Sequence, residues 1–255
     1  MKNSLKAAMV TVGIALAATA ASAESVKIGI GAEPYPPFTS PDASGNWEGW
    51  EIDFANAVCA EAKFECEITP VAWDGIIPAL TSNKIDAIIG SMSITEERLK
   101  TIDFSDKYYN TPANVVTAKG SGITPDAEGL AGKILAVQVS TTHQAYATKY
   151  FGDAEIKEYQ TQDEANQDLV AGRVDATLAD ALALDVFLQS ADGGCCEATG
   201  AVVHDEAVFG PGVGIGLRKG DERKETFNAA IAAVRENGTY DELTKKYFDL
   251  DIYGE

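Results

Sequence analysis

Apolar residues along this chain gather in short runs, and the stretches between them repeat at helical spacing. Runs at 26–30, 85–89, 134–139 and 174–178 have the length of buried strands. Residues 49–59 read as a helix with Trp50, Phe54, Ala57 and Val58 on one face. Helical patterns also predict 142–151, 163–171 and 181–189, and two acidic amphipathic helices close the chain at 221–237 and 239–248. Asn237-Gly238 signals a helix end, and Thr239 with Glu242 reads as a capping box. The alternating glycines of 210–216 predict a strand that passes close to another backbone. Strands alternating with helices make this an α/β protein.

One internal echo sharpens that picture. Residues 80–91 (Leu-Thr-Ser-Asn-Lys-Ile-Asp-Ala-Ile-Ile-Gly-Ser) resemble 169–180 (Leu-Val-Ala-Gly-Arg-Val-Asp-Ala-Thr-Leu-Ala-Asp). Each half also opens on a similar strand, Lys27-Ile-Gly-Ile and Lys133-Ile-Leu-Ala-Val. The economical reading is two related α/β lobes.

Composition narrows the class. The 255 residues are 45% hydrophobic and 23% charged, an ordinary globular balance with chain enough for one large domain or two smaller ones. A formal net charge of −19 argues against binding nucleic acid or anionic membranes. Residues 1–23 carry Lys2 and Lys6, an apolar run over 7–20, and Ala21-Ser22-Ala23 before Glu24, the layout of a cleaved secretory leader. A membrane anchor is the alternative, but the run is shorter than the ~20 residues a spanning helix needs. Export to a bacterial periplasm is the expectation. Cys59 and Cys66 lie seven apart across a helix end, either bridged to the following strand or held as two buried thiols, and an oxidising compartment favours the bridge. Cys195 and Cys196 are adjacent, at a Cα spacing of ~3.8 Å that strains a disulfide. Their state is left open.

The echo also locates chemistry. Ligands of open α/β sheets sit beyond the carboxyl ends of strands. Glu33 and Tyr35, Ser91 and Ser93, Thr141 and Thr142, and Asp180 follow the four strands just named. Arg98 follows at a helix start. The set suits a zwitterion. A guanidinium grips a carboxylate through two charge-assisted bonds, a helix opening at 140–142 adds free N–H groups, and Asp180 with Ser91 and Ser93 accepts from an ammonium. Trp73 and Tyr35 flank an aliphatic stem. Each residue has a plainer reading: Arg98 a surface charge, Asp180 an N-cap, Ser93 a turn residue, Trp73 core and Glu33 a loop carboxylate. His143 and His204 are the only histidines; His143 sits beside the helix opening at 140–142 and is expected to be solvent-exposed, with contact to the ligand as the alternative. The chain lacks a dinucleotide glycine turn, a phosphate loop, a Gly-x-Ser-x-Gly elbow and zinc-ligand spacing, so neither cofactor nor metal is expected.

Further segments add a resemblance. They are Tyr35-Pro-Pro-Phe38, Gly49-Trp-Glu-Ile-Asp53, Trp73-Asp-Gly-Ile-Ile-Pro78, the run from Asp86 to Arg98, Phe104-Ser-Asp-Lys-Tyr-Tyr109, Ser140-Thr-Thr142, Gly214-Ile-Gly-Leu-Arg-Lys219 and the ending from Asn237 to Phe248. Together they resemble bacterial extracellular solute-binding proteins of the polar amino acid family, most of all the lysine/arginine/ornithine- and histidine-binding proteins of ABC importers. The resemblance implies a two-lobe, type II-like periplasmic binding protein with a hinge of two crossover strands and a ligand cleft between the lobes. Lobe 1 would span 24–110 plus 213–255, lobe 2 would span 113–204, and the crossovers would fall at 110–113 and 204–212. Arg98 with Ser93 and Thr142 would take an α-carboxylate, and Asp180 with Ser91 an α-ammonium. Trp73 would stack on the ligand, and Cys59 and Cys66 match a disulfide of the basic amino acid binders. The implied partners are a free L-amino acid, a cationic one favoured, and an inner-membrane ABC permease, with the receptor a monomer. Alternatives are glutamine, another polar amino acid or an opine. A periplasmic cyclohexadienyl dehydratase would need a general acid, for which Glu33 is the candidate. The first loop carries an extra residue, so the family's acidic contact for a cationic side chain does not align cleanly. Gly90, Ser140 and Trp50 also depart from the family pattern.

Overall fold

The computed structural model describes residues 23–254, so all but the last residue of the expected leader lies outside the described residues. The chain starts with β1 (Glu24–Gly31), a small hairpin of β2 (Ser40–Pro41) and β3 (Trp47–Glu48), and α1 (Trp50–Ala62). Then come β4 (Phe64–Val71), α2 (Ile76–Thr81), β5 (Ala87–Ile88), α3 (Glu96–Leu99) and β6 (Asp103–Tyr109). Beyond 110–112 follow β7 (Ala113–Ala118), α4 (Ala127–Leu130), β8 (Ile134–Gln138), α5 (Thr142–Tyr150) and β9 (Glu155–Tyr159). The same unit continues with α6 (Gln162–Val170), β10 (Ala176–Asp180), α7 (Ala181–Gln189) and β11 (Cys196–Ala201). A return link carrying α8 (Glu206–Phe209) leads to β12 (Val213–Leu217), α9 (Arg223–Glu236) and α10 (Thr239–Tyr247).

Two five-stranded sheets result, ordered β4-β1-β5-β12-β6 and β11-β7-β10-β8-β9. Because β12 returns to the first sheet, the chain passes between the sheets twice. Each sheet buries its own apolar clusters, so there are two lobes with their own cores, with Leu182 of α7 packed into the first lobe's cluster. In the first, Trp50 is fully buried, stacked on Phe54 at 5.2 Å and edge-on to Tyr240 at 5.6 Å. Such pairs contribute about 0.5–1.5 kcal/mol each beyond area burial, which anchors the start of α1.

The internal echo is a structural equivalence. Asn83 and Gly172 both take a left-handed conformation, at φ 60° and 67°, where α2 and α6 stop. Asp86 exchanges bonds with the backbone of Lys27: its N–H donates to the carbonyl at 2.8 Å and its carboxylate accepts the N–H at 3.0 Å. Asp175 does the same with Ile134, at 2.9 and 2.8 Å. These reciprocal clamps pin β5 beside β1 and β10 beside β8, both parallel pairs. Ser91 and Asp180 then stand at matching positions, one in each lobe.

Some expectations need correction. The strand expected at 174–178 is Ala176–Asp180, because Asp175 is occupied by its clamp. Thr239 does not form a capping box: left-handed Gly238 (φ 84°) is the N-cap, which places Thr239 inside α10. A capping box instead opens α6, between Thr161 and Glu164. The glycine-rich strand passes close to other backbone as expected. A Cβ on Gly212 (φ 144°) would lie 2.6 Å from the Tyr109 carbonyl oxygen, and one on Gly214 2.8 Å from the Ile94 side chain. Cys59 and Cys66 are bridged. Cys195 and Cys196 are free thiols with sulfurs 3.5 Å apart. Among the described residues no helix is long and apolar enough to cross a membrane.

Candidate functional site

The carboxyl ends of β1, β5, β8 and β10 open onto one cleft between the lobes, about 900 Å³ counting its mouth. All nine residues nominated from the sequence line it. Glu33, Tyr35, Trp73, Ser91, Ser93 and Arg98 come from the first lobe, and Thr141, Thr142 and Asp180 from the second.

One end is electropositive. Thr95 caps α3 by accepting the Arg98 N–H at 3.2 Å, which fixes the root of the arginine. Its guanidinium donates to the carbonyls of Ser93 at 2.9 Å and, across the cleft, Ser140 at 3.2 Å. It also sits 5.7 Å from the centre of the Trp73 ring. The residue is half-buried, yet desolvation of the guanidinium pushes its pKa down to about 10, so it remains a cation at neutral pH. Facing it is the N-terminus of α5. Thr141 accepts the Gln144 N–H at 3.1 Å and donates its own hydroxyl to Gln138, so its side chain serves as a cap. The N–H groups of Thr142 and His143 precede the first helical carbonyl that could accept them.

The other end is electronegative. Asp180 is buried at the end of β10 and caps α7: one carboxylate oxygen accepts from Leu182 N at 2.8 Å and Ala183 N at 3.4 Å. The other oxygen accepts from the Thr111 hydroxyl. Even with these donors, burial raises its pKa to about 6. Ser91, from the first lobe, adopts φ 56° and lines the same cavity. Its backbone N–H and its hydroxyl both donate to Glu51, at 2.6 and 2.9 Å. Glu51 is fully buried on α1, also accepts from the Tyr108 hydroxyl at 2.6 Å, and has its pKa raised by burial to about 7.

Between the poles stand Tyr35, Trp73 and Glu33. The Tyr35 backbone exchanges bonds with Thr39, and its ring stacks on Phe38 at 6.0 Å. The Trp73 indole donates to the Ser140 carbonyl at 3.3 Å. The Glu33 carboxylate accepts the Trp73 backbone N–H at 3.2 and 3.4 Å. His143 is not solvent-exposed as expected. It lines the cleft, and desolvation together with the Arg98 charge lowers its pKa to about 4, so it is neutral. Sequence reasoning passed over Thr111, Gln138, Gln162 and Phe209, which also line the cleft. Gln138 ends β8, so the strand-end rule that found Thr141 reaches it too. Phe209 lies on α8, inside a link that carries no strand signal.

The sequence matches the model of bacterial extracellular solute-binding proteins, family 3, over residues 26–250. It is 44% identical over 240 residues to an L-arginine-binding protein of Pseudomonas aeruginosa, covering 92% of each chain. It is 41% identical over 261 residues to the lysine/arginine/ornithine-binding periplasmic protein of Escherichia coli, covering 100% of each. Among solved structures, an ancestral arginine-binding protein bound to arginine superposes with a TM-score of 0.82 at 33% identity, covering 89% of this chain and 100% of that one. Two lobes, a cleft at the strand ends and a match across nearly the whole described chain agree: the protein belongs to the bacterial extracellular solute-binding proteins, family 3.

Proposed function

We propose that this chain is the periplasmic receptor of an amino acid ABC importer and that it holds a free L-amino acid, preferentially a cationic one, between its lobes. One observation carries the reading. Arg98 and Asp180 line the same cavity from opposite lobes, and among the described residues neither forms an ion pair. Charges withdrawn from water need partners, and a zwitterion supplies both at once. Arg98, with Ser93, Thr142 and the α5 N-terminus, takes the α-carboxylate. Asp180 and Ser91 take the α-ammonium. Trp73 and Tyr35 flank the side chain, and Glu33 offers the countercharge to a cationic tip. Relatives named for arginine and for lysine, arginine and ornithine support the cationic preference.

The lobes divide at 24–110 plus 213–255 against 113–204, with 110–113 and 204–212 as the hinge. A ligand that touches both lobes binds the closed form better than the open one, and that difference drives closure. The closed monomer then docks on an inner-membrane permease, after export directed by residues 1–23. The site holds its guest and does not turn it over. Glu33, the candidate general acid, is held by the Trp73 N–H, and the relatives named above are binding proteins.

A thermal-shift screen of the purified chain against the common L-amino acids at 1 mM tests this. A ligand of micromolar affinity adds about 4 kcal/mol of stability. That corresponds to an upward shift on the order of 10 °C for a chain of this size. L-arginine, L-lysine, L-ornithine or L-histidine is expected to give the largest shift. No shift with any amino acid overturns the reading.

A further inference from the structure

Glu51 lies behind the cleft wall and reaches the cleft through Ser91. Its Oε1 accepts two bonds, from the Ser91 N–H and the Tyr108 hydroxyl, each at 2.6 Å. Its Oε2 accepts one, from the Ser91 hydroxyl at 2.9 Å. An ionised carboxylate only accepts, so the Ser91 hydrogen points away from the cleft and the oxygen's lone pairs are left for a donor. A proton added to Glu51 is best placed on Oε2, which keeps both bonds to Oε1; on Oε1 it would force the Tyr108 hydroxyl to give up its acceptor. That proton then donates to Ser91 Oγ, and the Ser91 hydrogen turns toward the cleft. An acceptor for an ammonium becomes a donor that opposes it.

We propose that Glu51 is a positioning residue which sets the polarity of the cleft's ammonium end through the Ser91 hydroxyl, so that proton uptake by Glu51 and amino acid binding compete. This rests on the assignment of Ser91 and Asp180 to the α-ammonium. The titratable groups facing Glu51 are Tyr35, Tyr108 and Tyr109 from the first lobe and Asp180 from the second. Burial holds the three tyrosines well above their ordinary range, so they stay neutral. Asp180 adds repulsion that an arriving ammonium cancels. Glu51 at about 7 is therefore poised to change charge near neutral pH, and Asp180 at about 6 follows in more acidic solution.

The test is calorimetric titration of the full chain with L-arginine, in buffers of different ionisation enthalpy, from pH 5.5 to 8.5. At pH 7.0 binding should release about half a proton, since a group half-protonated in the free protein becomes ionised in the complex. Affinity should fall as pH drops below 7, by up to about tenfold per pH unit for one linked proton. In Glu51→Gln the amide donates to Ser91 at every pH. Affinity at pH 8 should fall at least about tenfold, and proton release above pH 7 should disappear. Glu51→Asp should restore the release. A purely structural role would lower the unfolding temperature without touching the proton count. Wild-type protein that binds L-arginine with no proton exchange at pH 7.0, or Glu51→Gln with wild-type affinity, overturns the inference alone. Wild-type protein that binds no L-amino acid overturns the proposed function beneath it.

Discussion

Arg98 donates through Nη2 to the carbonyl of Ser140 at 3.2 Å, a hydrogen bond that crosses from the first lobe to the second. The Trp73 indole reaches the same oxygen at 3.3 Å. That neutral carbonyl occupies one arm of the guanidinium fork, whereas a carboxylate would engage both arms at once and add an opposite charge. Ser140 holds its carbonyl there at φ 60°, directly before the α5 cap Thr141.

Removing the fork should therefore disable binding. Charged hydrogen bonds contribute about 1.5–3 kcal/mol each, so two lost bonds imply at least a hundredfold weaker affinity. Arg98→Ala is expected to show that loss by calorimetry with an unchanged circular dichroism spectrum. Arg98→Lys keeps the charge but not the fork and should fall between the two. Undiminished affinity in Arg98→Ala would remove Arg98 from the site.

Glu33 bears on the side chain rather than the α-groups. Glu33→Gln retains an oxygen to accept the Trp73 N–H, so the loop keeps its shape while the charge goes. Affinity for L-arginine should drop about tenfold, a change of ~1.4 kcal/mol, while that for L-glutamine, if measurable, moves by less than about twofold. An equal loss for both would show that Glu33 supports Trp73 and does not read charge.

The buried carboxylates also set a pH dependence of the free protein. Glu51 at about 7 and Asp180 at about 6 both lie above their unfolded values, so the folded state binds more protons near neutrality. Their contribution to stability is complete below their unfolded pKa values and is lost as pH rises through 6 to 7. His143, lowered to about 4, works in the opposite direction, but mainly below pH 6.5. Between pH 6.5 and 8 the unfolding temperature without ligand should fall by a few degrees, and Glu51→Gln should flatten that slope. A wild-type unfolding temperature that rises over this window would contradict these assignments.

The Cys59–Cys66 bridge closes a seven-residue separation between α1 and β4, and neither cysteine lines the cleft. The chain-entropy model gives such a loop about 2.5 kcal/mol. A Cys59→Ala, Cys66→Ala double variant should unfold several degrees lower, and calorimetry should find its ligand affinity unchanged. A changed affinity would mean that the bridge shapes the cleft.

Much of this was readable from the residues, for reasons that differ from one to the next. Ser91 and Asp180 could be found because the same clamp, Asp86 on Lys27 and Asp175 on Ile134, repeats in both lobes and leaves a repeated sequence behind. The strand-end rule then placed both in the cleft. Glu51 was invisible because its partners are 40 and 57 residues away, and its neighbour Trp50 marked that stretch as core. His143 read as exposed because the Phe209 ring beside it, at 6.1 Å, comes from a helix in the return link. Thr239 misled because a Thr three residues before Glu looks the same whether it caps a helix or begins one. The left-handed turn at Gly238 decides which.

If two opposite charges from two lobes meet the two poles of one guest, neither pole of that guest is dispensable. The decisive measurement is calorimetry with L-arginine, with its decarboxylated analogue and with its Nα-acetylated analogue. L-arginine should bind tightly, and either analogue should lose at least a hundredfold in affinity, since each leaves one of Arg98 and Asp180 without an opposite charge. Binding of either analogue as tightly as L-arginine would contradict the two-pole clamp.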